Sequence, residues 1–143
     1  MEFINRVREK IAHPRVAIYL KVVAVIMILG ALSHLGSILN LLGRPAWGTQ
    51  PLSIRVLDVV YLLVNLVLAW GLWHTRFWAV VGWVAAFVLL QCVPFLLFTD
   101  LFATSVRERS MLYGTLASHA VILGVFLLLL PRRKAVADLT AGT

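Results

Sequence analysis

The chain has 143 residues, of which 62% are hydrophobic and only 13% charged, with a mean hydropathy of +0.95. That apolar share lies far above that of soluble domains and places the chain among integral membrane proteins, with length for one small bundle. A net charge of +7 and a pI near 10.6 raise the question of nucleic acid. No basic run interleaved with exposed aromatics supports it, and membrane topology accounts for the charge.

Residues 1–15 place Phe3, Ile4, Val7 and Ile11 at helical spacing with Arg6, Arg8 and Lys10 between them. This is the pattern of a short amphipathic helix lying on the headgroups, broken by Pro14. A solvated tail is the alternative. The apolar run that follows exceeds 20 residues and lacks a small-residue cleavage pattern, so it reads as a retained span rather than a signal peptide.

Four spans are expected, at 16–42, 52–73, 77–98 and 111–130, with Gly43 and Pro131 as stop signals and 131–143 as a tail. Each reaches the roughly 20 residues that a hydrocarbon core of about 30 Å requires. Only His74-Thr75-Arg76 joins the second and third spans, which makes them an antiparallel hairpin. The fold class is therefore an all-α membrane protein, a four-helix antiparallel bundle forming a single domain with an interfacial N-terminal helix.

Arg6, Arg8, Lys10, Arg15 and Lys21, with Arg76 and Arg132-Arg133-Lys134, hold nine of the 13 basic residues. Arg44, Arg55, Arg107 and Arg109 hold the other four. Both termini are thus expected in the cytoplasm, with the chain in a bacterial inner membrane. Trp70, Trp73 and Trp78 flank the cytoplasmic turn, and Trp47 sits at the opposite interface, in the loop containing Arg44-Pro45. The second outer loop, 99–110, carries Asp100, Arg107, Glu108 and Arg109 around Leu101, Phe102 and Val106.

Polar residues inside the spans collect at one depth. They are Ser33, His34, Ser37 and Asn40 late in the first span, and Asp58, Tyr61 and Asn65 early in the second. Gln91 and Cys92 lie late in the third, and Thr115, Ser118 and His119 early in the fourth. Polar groups in hydrocarbon are costly, so such a layer is the best pointer to a site, and the topology puts it in the outer half of the membrane.

Gly30, Ser33, Ser37, Gly114 and Ser118 are assigned to helix packing, where small residues permit close approach and hydroxyls bond back to their own turn. Asp58 either pairs with Arg55 one turn earlier or points into the bundle as a proton or cation site. Pro94 removes a backbone hydrogen bond, which is expected to disturb the helix near Leu90.

His34 and His119 lie at similar depth on helices that are neighbours in a ring. They are the candidate ligands for haem iron or, with Asp58 or Cys92, a transition metal, against the simpler reading of two hydrogen-bonded structural histidines. The candidate polar site is His34, Asp58, Tyr61, Asn65, Gln91 and His119. The lone cysteine excludes an internal disulfide, a CxxC pair and a four-cysteine zinc site.

In size and layout the chain resembles small four-span bacterial membrane proteins, the DoxX-like group among them, a likeness that assigns no residue a role. Three functions compete. The first is a non-catalytic accessory or assembly subunit, partnered by other membrane chains or by itself. The second is a haem- or metal-binding redox protein using His34 and His119. The third is an oligomeric small-solute transporter or lipid-binding protein with an outward-facing polar cavity. Catalysis is not expected, since no paired carboxylates, phosphate loop or nucleophile elbow is present.

Overall fold

The computed structural model describes residues 2–41, 46–97, 99 and 106–130, with backbone alone for residues 2–6 and 108. Arg44-Pro45, the loop residues 100–105 and the tail 131–143 lie outside the described residues. Among those described the fold is all-helical. α1 spans Glu2–Ala12, α2 Pro14–Ile38, α3 Leu52–Trp73, α4 Phe77–Ala86, α5 Val93–Leu97 and α6 Val106–Leu129. A short 3-10 turn, Trp47–Thr49, precedes α3, and a π-helical segment, Phe87–Cys92, joins α4 to α5.

Among the described residues four stretches are long and apolar enough to cross a membrane: Pro14–Ile38, Leu52–Trp73, Phe77–Leu97 and Arg109–Leu129. Large apolar side chains such as Leu29, Leu63, Leu89 and Leu128 are exposed along them. In water that would be unstable; in hydrocarbon it costs nothing.

Two boundaries differ from the sequence expectation, each for a local reason. The first span ends at Ile38, before the expected 42, because Asn40 adopts φ 58°. Asn40 N–H donates to the Ser37 carbonyl at 3.1 Å and Leu41 N–H to the Gly36 carbonyl at 2.8 Å. This is a Schellman cap, in which asparagine fills the left-handed position usually taken by glycine. α6 starts at Val106, five residues ahead of the expected 111, because charge does not prevent Arg107 and Arg109 from entering a helix. The disturbance expected at Pro94 takes the form of the π segment. Val93 N–H reaches back five residues to Val88, which re-pairs the backbone where proline cannot donate. Leu90 is not left without a partner.

The chain divides into two compact units, Leu20–Gly82 and Met1–Tyr19 with Trp83–Thr143. In the first, α2 and α3 run antiparallel: Gly30 faces Asn65, His34 faces Tyr61, and Ser37 faces Asp58. Steps of four and three residues up α2 match steps of four and three down α3, the spacing of a helix–helix seam.

α3 turns into α4 through a second Schellman cap. Thr75 has φ 51°, Thr75 N–H donates to the Leu72 carbonyl, and Arg76 N–H donates to the Gly71 carbonyl, both at 2.9 Å. A Cβ at Gly71 would lie 2.4 Å from that of Ala79, so glycine there sets how closely the hairpin closes. Trp70, Trp73 and Trp78 surround this turn, with Trp70 and Trp78 at 6.3 Å and the Lys21 ammonium 5.6 Å from the Trp73 ring.

In the second unit Trp83 meets Phe126 edge-on at 5.7 Å, and the Tyr19 hydroxyl donates to the Ile122 carbonyl. Ile11, expected on an interfacial face of α1, is buried.

Candidate functional site

The α2–α3 seam gathers His34, Ser37, Asp58, Tyr61 and Asn65. Asp58, in the second turn of α3, is only 6% exposed. Its carboxylate accepts from two sides: Ser37 Oγ donates to one oxygen at 3.1 Å, and His34 Nδ1 donates to the other at 2.9 Å. His34 in turn stacks on Tyr61, with centroids 5.2 Å apart and planes 11° from parallel. One turn deeper, Asn65 Nδ2 lies 3.1 Å from where a Gly30 Cβ would be. Glycine at 30 is thus what admits the amide into the seam.

The sequence expectation that Asp58 pairs with Arg55 does not hold. The i, i+3 relation brings two residues to one face, but Arg55 extends toward the helix start, where its guanidinium lies 5.7 Å from the Trp47 ring centroid. The carboxylate is instead held by the facing helix. Ser37, assigned to packing, is a partner of the site, and its position three residues after His34 on the same face was the available signal. Ser33 is exposed, and Asn40 lies beyond the end of α2, where its Oδ1 accepts from the Trp47 N–H at 2.6 Å.

Gln91 and His119 belong to the other unit. Gln91 sits in the π segment beside Cys92 with its Oε1 buried and unpartnered. Three polar residues of α6 turn back on their own helix. Thr115 Oγ1 donates to the Met111 carbonyl at 3.0 Å, Ser118 Oγ to Gly114 at 2.8 Å, and His119 Nδ1 to Thr115 at 2.9 Å. The His119 ring also stacks on Phe87 at 6.4 Å. A Cβ built at Gly114 meets nothing within 4 Å, so among the described residues no side chain uses the close approach that glycine would allow.

Each histidine thus commits one ring nitrogen to a hydrogen bond, His34 to a carboxylate and His119 to a backbone carbonyl. Among the described residues no three His, Cys, Asp or Glu side chains are grouped to hold one metal ion.

The chemistry open to the seam follows from its order. Asp58 stands in the middle with donors on either side, whereas a nucleophilic triad puts the imidazole between hydroxyl and carboxylate. The buried Ser37 hydroxyl donates to Asp58 and not to the imidazole. What the arrangement suits is holding a proton: a carboxylate fixes the imidazole through Nδ1 and leaves Nε2 outside that bond, on a side chain that is 30% exposed.

Neither a curated protein nor a solved structure matches this chain. Residues 14–134, a stretch that takes in all four spans, match the family of unknown function DUF6163, and the chain belongs to that family.

Proposed function

We propose that this is a small multi-pass protein of the bacterial cytoplasmic membrane in which the His34–Asp58–Ser37 cluster takes up and releases a proton, coupling protonation to transport or binding. One observation carries the reading: a buried carboxylate hydrogen-bonded at 2.9 Å to a partly exposed imidazole within apolar helices. Ionisable groups inside a membrane are expensive, and those retained mark proton, ion or ligand sites. With one titratable proton between them, Asp58 and His34 carry no net charge. A second proton, or loss of the first, leaves a net charge in hydrocarbon that only movement or a bound ion can relieve.

We read the four spans as an antiparallel bundle with both termini in the cytoplasm and α1 on the headgroups, an orientation supported by the skew of basic residues. The cluster then lies in the outer half of the membrane. Four spans enclose little space, so self-association completes the pathway.

Vesicles loaded with a pH-sensitive dye test the reading. Wild-type protein under an imposed potential is expected to pass protons, and Asp58→Asn to stop it. Equal flux from the two proteins contradicts the proposal.

A second reading, an accessory subunit, is favoured by α6. Only 6% of its apolar window is buried, Thr115, Ser118 and His119 bond their own backbone, and among the described residues nothing lies within 4 Å of a Cβ at Gly114. That surface suits another membrane helix. Purification in mild detergent should then bring down a stoichiometric partner that Gly114→Leu releases; a lone monomer contradicts it.

A further inference from the structure

We propose that the cleft between Trp47 and the first two turns of α3 binds an anionic phospholipid, headgroup at Arg55 and one acyl chain along α3. The cleft has a volume of about 270 Å³ and is lined by Trp47, Leu52, Arg55, Val56, Val59 and Val60. Two N–H groups on its lining residues, Arg55 Nε and Trp47 Nε1, are buried without a hydrogen-bond partner. Buried donors are nearly always paired, so two unpaired neighbours point to an acceptor from outside the chain.

The charge of Arg55 specifies that acceptor further. Arg55 forms no ion pair among the described residues, and Asp58, three residues on, spends its carboxylate on His34 and Ser37. The guanidinium rests on the Trp47 ring, a contact that holds it in place without neutralising it. The start of α3 adds the partial positive charge of a helix N-terminus. An anion fits this end of the cleft.

The rest of the wall is apolar. Val59 lies one turn beyond Arg55, roughly 6 Å further into the span by helical rise. Leu52, Val56 and Val59 are exposed, and so available to a ligand. A ligand that is anionic at one end and aliphatic along its length matches both parts, whereas a free phosphate matches the donors and leaves the valine wall unused. This inference is independent of the protonation reading, because it uses the neighbouring end of α3 and none of the His34–Asp58 contacts.

Native mass spectrometry of the intact chain, released from detergent with phosphatidylglycerol or phosphatidylcholine of identical acyl chains, tests it. Both lipids offer a phosphate to the N–H groups, but only phosphatidylglycerol is net anionic, so wild-type protein is expected to retain it over phosphatidylcholine by about tenfold, the scale of one unbalanced charge beside a guanidinium. Arg55→Gln should abolish the preference. Trp47→Phe, which keeps an aromatic ring and removes the indole N–H, should reduce it. Equal retention of both lipids by the wild-type protein overturns the proposal without recourse to any variant, as does a preference that survives in Arg55→Gln. Displacement of the lipid by inorganic phosphate at equal concentration overturns the amphiphile assignment in favour of a free-anion site; undisturbed adducts support it.

Discussion

Removing His34, Asp58 or both separates the energy of their contact from everything else each side chain does. Asp58→Ala deletes the acceptor of two hydrogen bonds, 2.9 Å from His34 Nδ1 and 3.1 Å from Ser37 Oγ. In soluble proteins bonds to charged groups contribute about 1.5–3 kcal/mol. Interhelical polar pairs in membranes average only about 0.6 kcal/mol and reach about 1.7, because the separated helices also find partners. The two donors differ in what they lose. Ser37 is 2% exposed, but its hydroxyl can fall back on the Ser33 carbonyl one turn earlier, as Ser118 does on Gly114. His34 is more open and can find another acceptor.

Asp58→Ala is therefore expected to destabilise by about 1.5–2.5 kcal/mol. His34→Ala, which leaves a buried carboxylate with Ser37 alone, should cost at least as much. The coupling energy in the double-mutant cycle should be about 1 kcal/mol, in the upper part of the membrane range because both partners are ionisable. Unfolding in mixed micelles driven by dodecyl sulfate, followed by helical ellipticity and indole fluorescence, gives the four free energies. Additivity within about 0.3 kcal/mol would show that the contact contributes nothing to the paired helices.

Gly71→Ala should destabilise by about 1–3 kcal/mol in the same assay, since its Cβ would lie 2.4 Å from Ala79 and 2.7 Å from the Trp78 ring. Gly114→Ala, which meets nothing within 4 Å, should be neutral or stabilise by up to about 1 kcal/mol; the reverse order contradicts the packing described. Thr75→Gly should stabilise by roughly 0.5–1 kcal/mol, because a β-branched residue at φ 51° is strained, and a loss of stability would show the strain to be absent. Asn40→Ala should cost about 1–2 kcal/mol and expose the Trp47 amide to faster hydrogen exchange, since it removes both the left-handed cap and the acceptor of that N–H.

The four spans are legible in the sequence because a run of apolar residues of that length has one physical use. Their ends are less so. Gly43 looked like the stop of the first span, yet Asn40 reaches the left-handed conformation three residues sooner, and hydropathy cannot see a backbone angle. Arg107 and Arg109 marked a loop by their charge, whereas a helix that starts at an interface can carry charge in its first turns. Within the site, the polar face of α3 was legible from the spacing of Asp58, Tyr61 and Asn65. The partner of Asp58 was not. Spacing along one helix offered Arg55, and only the register between α2 and α3 brings His34 and Ser37 to the carboxylate. The hydroxyls of α6 illustrate the converse: Thr115 and Ser118 stand out in the sequence but satisfy themselves within their own turn.

The most direct test of a shared proton is nuclear magnetic resonance of labelled protein in bilayers, following the His34 ring nitrogens and the Asp58 carboxyl carbon across pH. The expected result is a through-space correlation between the His34 Nδ1 proton and the Asp58 carboxyl carbon, with a His34 Nδ1 signal that moves in Asp58→Asn. No such correlation, or a His34 Nδ1 signal unchanged in Asp58→Asn, would contradict a proton held between them.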